Sequence, residues 1–124
     1  SPNVSLWRMK PSDTRQSKPA IHFDDPNATG ADAVRQLQRI VARHPVVLFL
    51  KGTRQEPQCR FSQAAVALLD KVQAEFECVD CLDDRRNPGI RDAIKELSNW
   101  PTLPQLYIDG RFVGGADIAR EMYE

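Results

Sequence analysis

Between residues 31 and 44, Val34, Leu37, Ile40 and Val41 recur at intervals of three and four or lie side by side. That spacing puts them on one stripe of an amphipathic α-helix, with Gly30 and Asp32 near its start. Pro45 ends the pattern. Val46–Leu50 is then an unbroken apolar run, as expected of a strand covered on both faces. Residues 62–72 return to helical spacing through Ala64, Ala65, Leu68, Leu69 and Val72. Residues 76–82 read as a second strand, and Ile90, Ile94 and Leu97 mark a third helix. Residues 103–109 and 111–113 flank Asp109-Gly110, a strong hairpin signal. A last helix is expected after Gly114-Gly115, with Ile118 and Met122 on its inner face.

Strand, helix and strand in that order predict a parallel βαβ unit. A further helix and an antiparallel hairpin complete the arrangement of a thioredoxin-like α/β fold, a central four-stranded mixed sheet flanked by helices. Residues 1–28 differ from the rest. They hold Pro2, Pro11, Pro19 and Pro26 with no sustained periodicity, which predicts a disordered extension ahead of a domain over 29–124. Ile21 and Phe23 are candidates to dock on that domain, a matter the pattern leaves open. Arg8, Lys10, Arg15 and Lys18 stand ahead of the first acidic pair, with only Asp13 among them, so the leader is basic, acid-poor and serine-containing. It resembles the end of an organelle transit peptide, and an ordinary solvated extension fits it equally.

A length of 124 residues suits one domain plus such an extension. Lys+Arg and Asp+Glu balance at 17 each, so charge makes no case for nucleic acid or a membrane surface as partner. The longest apolar run falls far short of the roughly 20 residues that span a bilayer. Three cysteines, without the spacing of a disulfide framework, favour a reducing compartment: mitochondrial matrix, cytosol or plastid stroma. With the basic leader, the mitochondrial matrix is the expected one.

Cys59 is the chemical focus. It stands between the first apolar strand and the helix that follows, where free N–H groups favour the thiolate, the form that is both nucleophile and metal ligand. Ser62 holds the position of the second thiol in a C-x-x-C redox pair. The site therefore has a nucleophile and no local resolving partner. Cys78-Val-Asp-Cys81 does spell C-x-x-C, but on a strand residues three apart face opposite sides and close neither a disulfide nor a chelate. Both are expected to be buried structural thiols. His22 and His44 lack metal-ligand spacing, and His44 suits a helix C-terminus.

The blocks K-G-T-x-x-x-P-Q-C-x-F-S, S-N-W-P-T-L-P-Q-L-Y-I-D-G and F-V-G-G-A-D-I, in this order over residues 31–124, closely resemble the monothiol glutaredoxins. The stretch 54–58 resembles the extended loop of that class. The resemblance implies Cys59 as catalytic thiol and as ligand of a [2Fe–2S] cluster, with glutathione as cofactor. It places glutathione against Lys51, Cys59, Phe61, Arg91, Thr102, Leu103, Pro104, Gly115, Ala116 and Asp117. Lys51 would approach glutathione and the thiol. Arg91 would meet the glycine carboxylate, for which a guanidinium is suited. Thr102-Leu103-Pro104 resembles the family's cis-proline loop, in which Leu103 offers its backbone to the cysteinyl part of the ligand. Gly115, Ala116 and Asp117 resemble the turn and helix start that hold the γ-glutamyl end.

The family usually reads C-G-F-S, and here Arg60 replaces the glycine. Its charge should favour ionisation of Cys59. Its bulk either hinders a cofactor or a second subunit, or points to solvent. A [2Fe–2S] cluster needs four thiolates. Two Cys59 side chains and two glutathiones would supply them, in a cluster-bridged homodimer of an otherwise monomeric protein, serving iron–sulfur donor and recipient proteins. The alternative is a glutathione-dependent thiol–disulfide oxidoreductase that removes glutathione from mixed disulfides with Cys59 as sole nucleophile. A third reading is an adaptor that has lost cluster chemistry.

Overall fold

A computed structural model describes residues 18–25 and 30–115. Its elements are α1 (Gly30–Arg43), β1 (Val46–Leu50), α2 (Arg60–Lys71), β2 (Glu77–Asp80), α3 (Ile90–Ser98), β3 (Gln105–Ile108) and β4 (Arg111–Gly115). The strands form one sheet in the order β2-β1-β3-β4. β1 runs parallel to β2 and antiparallel to β3, and β3 pairs antiparallel with β4. This is the thioredoxin-like α/β arrangement expected from the periodicity. The last helix anticipated from Ile118 and Met122 lies outside the described residues.

The two-sided burial of β1 explains its unbroken apolar run. Successive strand residues point to opposite faces. Val47 and Phe49 join a core with Leu37, Ile40, Val41, Ile90 and Ile94, contributed by α1 and α3. Leu48 and Leu50 join a second core with Ala65, Val66 and Leu69 of α2 and Phe76. The helices lie on both faces, and β1 is the wall between the two cores. The hairpin turn follows from its own chemistry. Asp109 and Gly110 have φ of 50° and 80°, and the tight turn that suits strand twist needs positive φ at both central positions.

Within the extension expected over 1–28, the structure describes residues 18–25, where the docking left open for Ile21 and Phe23 is seen. Ile21 donates its N–H to Cys78 O at 2.9 Å and bridges in parallel to Val79, so the chain covers the outer edge of β2. Phe23 is 1% exposed and belongs to the α1–α3 core. Its N–H donates to Asn87 Oδ1 at 2.9 Å. Lys18 pairs with Glu77 at 2.7 Å, and Asp24 with Arg43 at 2.9 Å. One buried aromatic supplies enough apolar surface to hold a short segment that composition alone marks as solvated.

Candidate functional site

Cys59 is the N-cap of α2, in extended conformation with φ −145° and ψ 156°. An N-cap side chain accepts from the orphan N–H groups of the first turn, and here a sulfur takes that place. Ser62 N–H donates to Cys59 Sγ at 3.4 Å, and the Ser62 hydroxyl lies 3.3 Å from the same sulfur. Ser62 is fully buried, and its Oγ accepts from Lys51 N–H at 3.0 Å. Its hydroxyl proton is thus left for the sulfur. The residue in place of a second thiol ties the end of β1 to the reactive atom.

Partial burial by itself raises the Cys59 thiol. The Ser62 hydroxyl, the N–H groups of Ser62 and Phe61, and the charge of Lys51 more than offset this, so the thiol lies below its ordinary value. The N–H groups of the helix start were expected to favour the thiolate and do so, whereas Arg60, the other expected cause, is not among these groups. It is exposed, with its guanidinium 5.0 Å from the centre of the Phe61 ring. The cation that acts on the sulfur comes from β1's end instead.

The loop between β1 and Cys59 is closed on itself. Gly52 bridges to Pro57, Gln58 N–H donates to Lys51 O at 2.8 Å, and Glu56 N–H donates to Thr53 Oγ1 at 2.9 Å. Gly52 has φ +96° and a Cβ there would overlap Glu56 O, so only glycine fits. The tip turns inward. Arg54 is buried and pairs with Asp70 of α2 at 2.8 Å, with its guanidinium 3.8 Å from the Phe76 ring centre. Sequence reasoning did not single out Arg54 or Asp70. They are 16 residues apart, on a loop and a helix, and no local spacing links them.

A cleft of about 440 Å³ opens beside this loop, lined by Lys51, Phe61, Arg91, Lys95, Pro101, Thr102 and Leu103. Five of the residues implied by resemblance therefore come together. Lys95 was missed, although it stands four residues after Arg91 on α3 and so shares its face. The Leu103–Pro104 bond is cis, as expected, and the Leu103 side chain is buried in the α1–α3 core. Pro104 and Gly115 do not line this cleft and instead border a small apolar cavity with Leu48, Ala65 and Leu69. A Cβ at Gly115 would run into Pro104 O, so glycine permits the contact. Ala116 and Asp117 lie outside the described residues.

Cys78 and Cys81 are buried in different cores, Cys78 on the α2 side and Cys81 on the α1–α3 side. Burial pushes the Cys78 thiol up to about 12 and Cys81 upward as well. Among the described residues no group of three or more His, Cys, Asp or Glu could hold a metal ion. Nor is any described helix long and apolar enough to cross a membrane.

A parallel βαβ unit, an antiparallel hairpin and a single reactive thiol capping the helix of that unit define a thioredoxin-like, one-cysteine site. Comparison with known proteins agrees with that class. The glutaredoxin family model matches residues 46–113. The bifunctional monothiol glutaredoxin-S16 of Arabidopsis thaliana, a chloroplastic protein, is 48% identical over 88 residues, 71% of this chain. The chain spans only 30% of that relative's length. A probable monothiol glutaredoxin 2 of Rickettsia prowazekii is 46% identical over 71% of this chain and 79% of its own. The solution structure of reduced poplar apo GrxS14 is 50% identical, with a TM-score of 0.60 over 72% of this chain and 79% of that one. The chain belongs to the glutaredoxin family, among its monothiol members.

Proposed function

We propose that the protein binds glutathione in the cleft and uses Cys59 to hold and pass on a [2Fe–2S] cluster. The observation that carries this reading is that Cys59 is the one thiol of three that is neither buried nor held protonated. A cluster needs four thiolates, so most must come from outside the chain. Two subunits with two glutathiones meet that count.

The cleft residues fit glutathione. Its volume lies within the usual range for small-ligand sites. Glutathione carries two carboxylates, and Lys51, Arg91 and Lys95 supply three cations around one concavity. Arg91 and Lys95 take the glycine carboxylate, Leu103 offers its backbone groups, and Lys51 stands between ligand and thiolate. Phe61 edges the ligand. Ala116 and Asp117 take the γ-glutamyl end. The Ser62 hydroxyl and the N–H groups of Phe61 and Ser62 favour the thiolate, the form that ligates. The cluster is cargo: glutathione thiolates exchange, so it can leave for iron–sulfur recipient proteins after arriving from a donor. The apo protein is then a monomer and the loaded one a homodimer, working in the mitochondrial matrix.

Anaerobic reconstitution with iron, sulfide and glutathione tests this. The expected result is visible absorbance and a doubled mass in solution, both lost without glutathione. A colourless monomer under those conditions rules the carrier out.

The lowered Cys59 thiol favours a second reading, reduction of glutathione mixed disulfides. Cys59 thiolate would attack the glutathionyl sulfur, forming a disulfide with it as the partner thiolate leaves. A second glutathione thiolate then attacks that disulfide, restoring Cys59 and releasing oxidised glutathione. Rapid turnover of a small glutathione mixed disulfide, with no coloured species on reconstitution, would favour this reading.

A further inference from the structure

The loop 100–104 forms one wall of the cleft through Pro101, Thr102 and Leu103. Its start is tied to α3, where Ser98 Oγ accepts from Trp100 N–H at 3.1 Å and donates to Ile94 O at 2.9 Å. Its other tie comes from Gln105, the first residue of β3. Gln105 is fully buried, and its Nε2 donates to Trp100 O at 3.1 Å and to Thr102 O at 3.2 Å. Both donors of one side-chain amide are spent on one short loop. The amide oxygen, also buried, has no hydrogen-bond partner among the described residues.

A buried acceptor without a partner is unfavourable, and an apolar side chain of the same shape would avoid that cost. The gain is in position, because a buried donor pair specifies where two carbonyls sit in a way that apolar contact does not. The loop between them carries the exposed Thr102 and the Leu103 backbone into the cleft.

We propose that Gln105 is a positioning residue of the glutathione cleft, its amide fastening the 100–104 loop in the shape that receives the ligand. The inference rests on the glutathione reading of the cleft and adds a residue that does not itself touch it. Gln105→Met keeps the length and apolar volume and removes both donors. Gln105→Asn keeps an amide that is one carbon too short to span both carbonyls, and provides a polar variant should the first fold poorly.

Two reactions of Cys59 are compared in each variant: glutathionylation by oxidised glutathione, which uses the cleft, and alkylation by iodoacetamide, which does not. In wild type, glutathionylation saturates with concentration. In both variants the half-saturating concentration rises about tenfold, the equivalent of one neutral hydrogen bond, while iodoacetamide reacts at the wild-type rate. Amide exchange at residues 100–103 accelerates, and that in α2 does not. A role in packing alone would move both reactions together and lower the thermal midpoint. Saturation unchanged in both folded variants overturns the inference and leaves the glutathione reading standing. If wild type itself shows no saturation, the glutathione reading fails, and the inference with it.

Discussion

Cys59 and Cys78 are the same side chain in two surroundings. Cys59 caps a helix, receives two N–H groups and a hydroxyl, and feels Lys51, so its charged form is favoured. Cys78 packs among Leu48, Leu50 and Phe76, where the charges of Arg54 and Lys18 do not make up for the loss of water, so its neutral form is favoured. Arg54 touches both regions. Its backbone belongs to the loop that carries Cys59, and its guanidinium lies close enough to Cys78 to oppose the upward shift. Reactivity in this chain is thus set by the local supply of donors and not by cysteine itself. The C-x-x-C spelling at 78–81 carries no redox pair because β2 and the turn after it send the two sulfurs into different cores.

The strongest way to break the contrast is Cys59→Ser. It should abolish both the coloured species on reconstitution and the disulfide with glutathione, with little change in thermal stability. Equal trapping of iron and sulfide by variant and wild type would mean that the contrast has no functional content.

Arg54→Met comes next. It leaves Asp70 buried without its counter-charge, which costs about 3–5 kcal/mol in urea denaturation. Pairing it with Asp70→Leu should recover most of that loss, because apolar replacement of a buried ion pair is often neutral. Failure of the double variant to recover would show that the pair acts through loop geometry beyond its charges.

Alkaline stability sharpens the contrast with opposite signs. Cys78 releases its proton near 9.0 when unfolded and near 12 when folded. Between those values the folded chain holds more protons, so this contribution to stability falls as pH rises. Cys59 has a depressed folded value, so its contribution is present above 9.0 and is lost as pH falls through that folded value. Chemical denaturation followed from about pH 8 to 11 should lose stability less steeply in Cys78→Ala than in wild type. An identical slope would show that Cys78 is not the group that titrates.

The smallest effects separate the two polar neighbours of the sulfur. Ser62→Ala should raise the Cys59 thiol and slow its alkylation at neutral pH several-fold, in line with the loss of one charge-assisted hydrogen bond. Arg60→Gly should leave alkylation within about twofold, because its guanidinium is not among the groups that lower the thiol, while lengthening cluster lifetime by removing bulk. Equal slowing in both variants would return Arg60 to the role that its position in the sequence suggests.

The sequence by itself determined the order of elements, because periods of 3.6 and 2 are local properties of the chain and survive without tertiary contacts. It also determined the Asp109-Gly110 turn, where the residues' own φ preferences decide the geometry, and singled out Cys59 as the thiol at a strand–helix junction. Lys51, Phe61, Arg91, Thr102 and Leu103 were reached through the resemblance of their motifs to the family's, and the fold brings them to one cleft. What only the tertiary structure decided are the pairings of polar groups far apart in the chain. Arg54 meets Asp70, Phe23 N–H meets Asn87 across 64 residues, and Gln105 lies buried under the loop that precedes it. Composition marks such residues as surface or extension. Burying a polar group is favourable only when a particular partner waits for it, and that partner's place is a property of the folded chain.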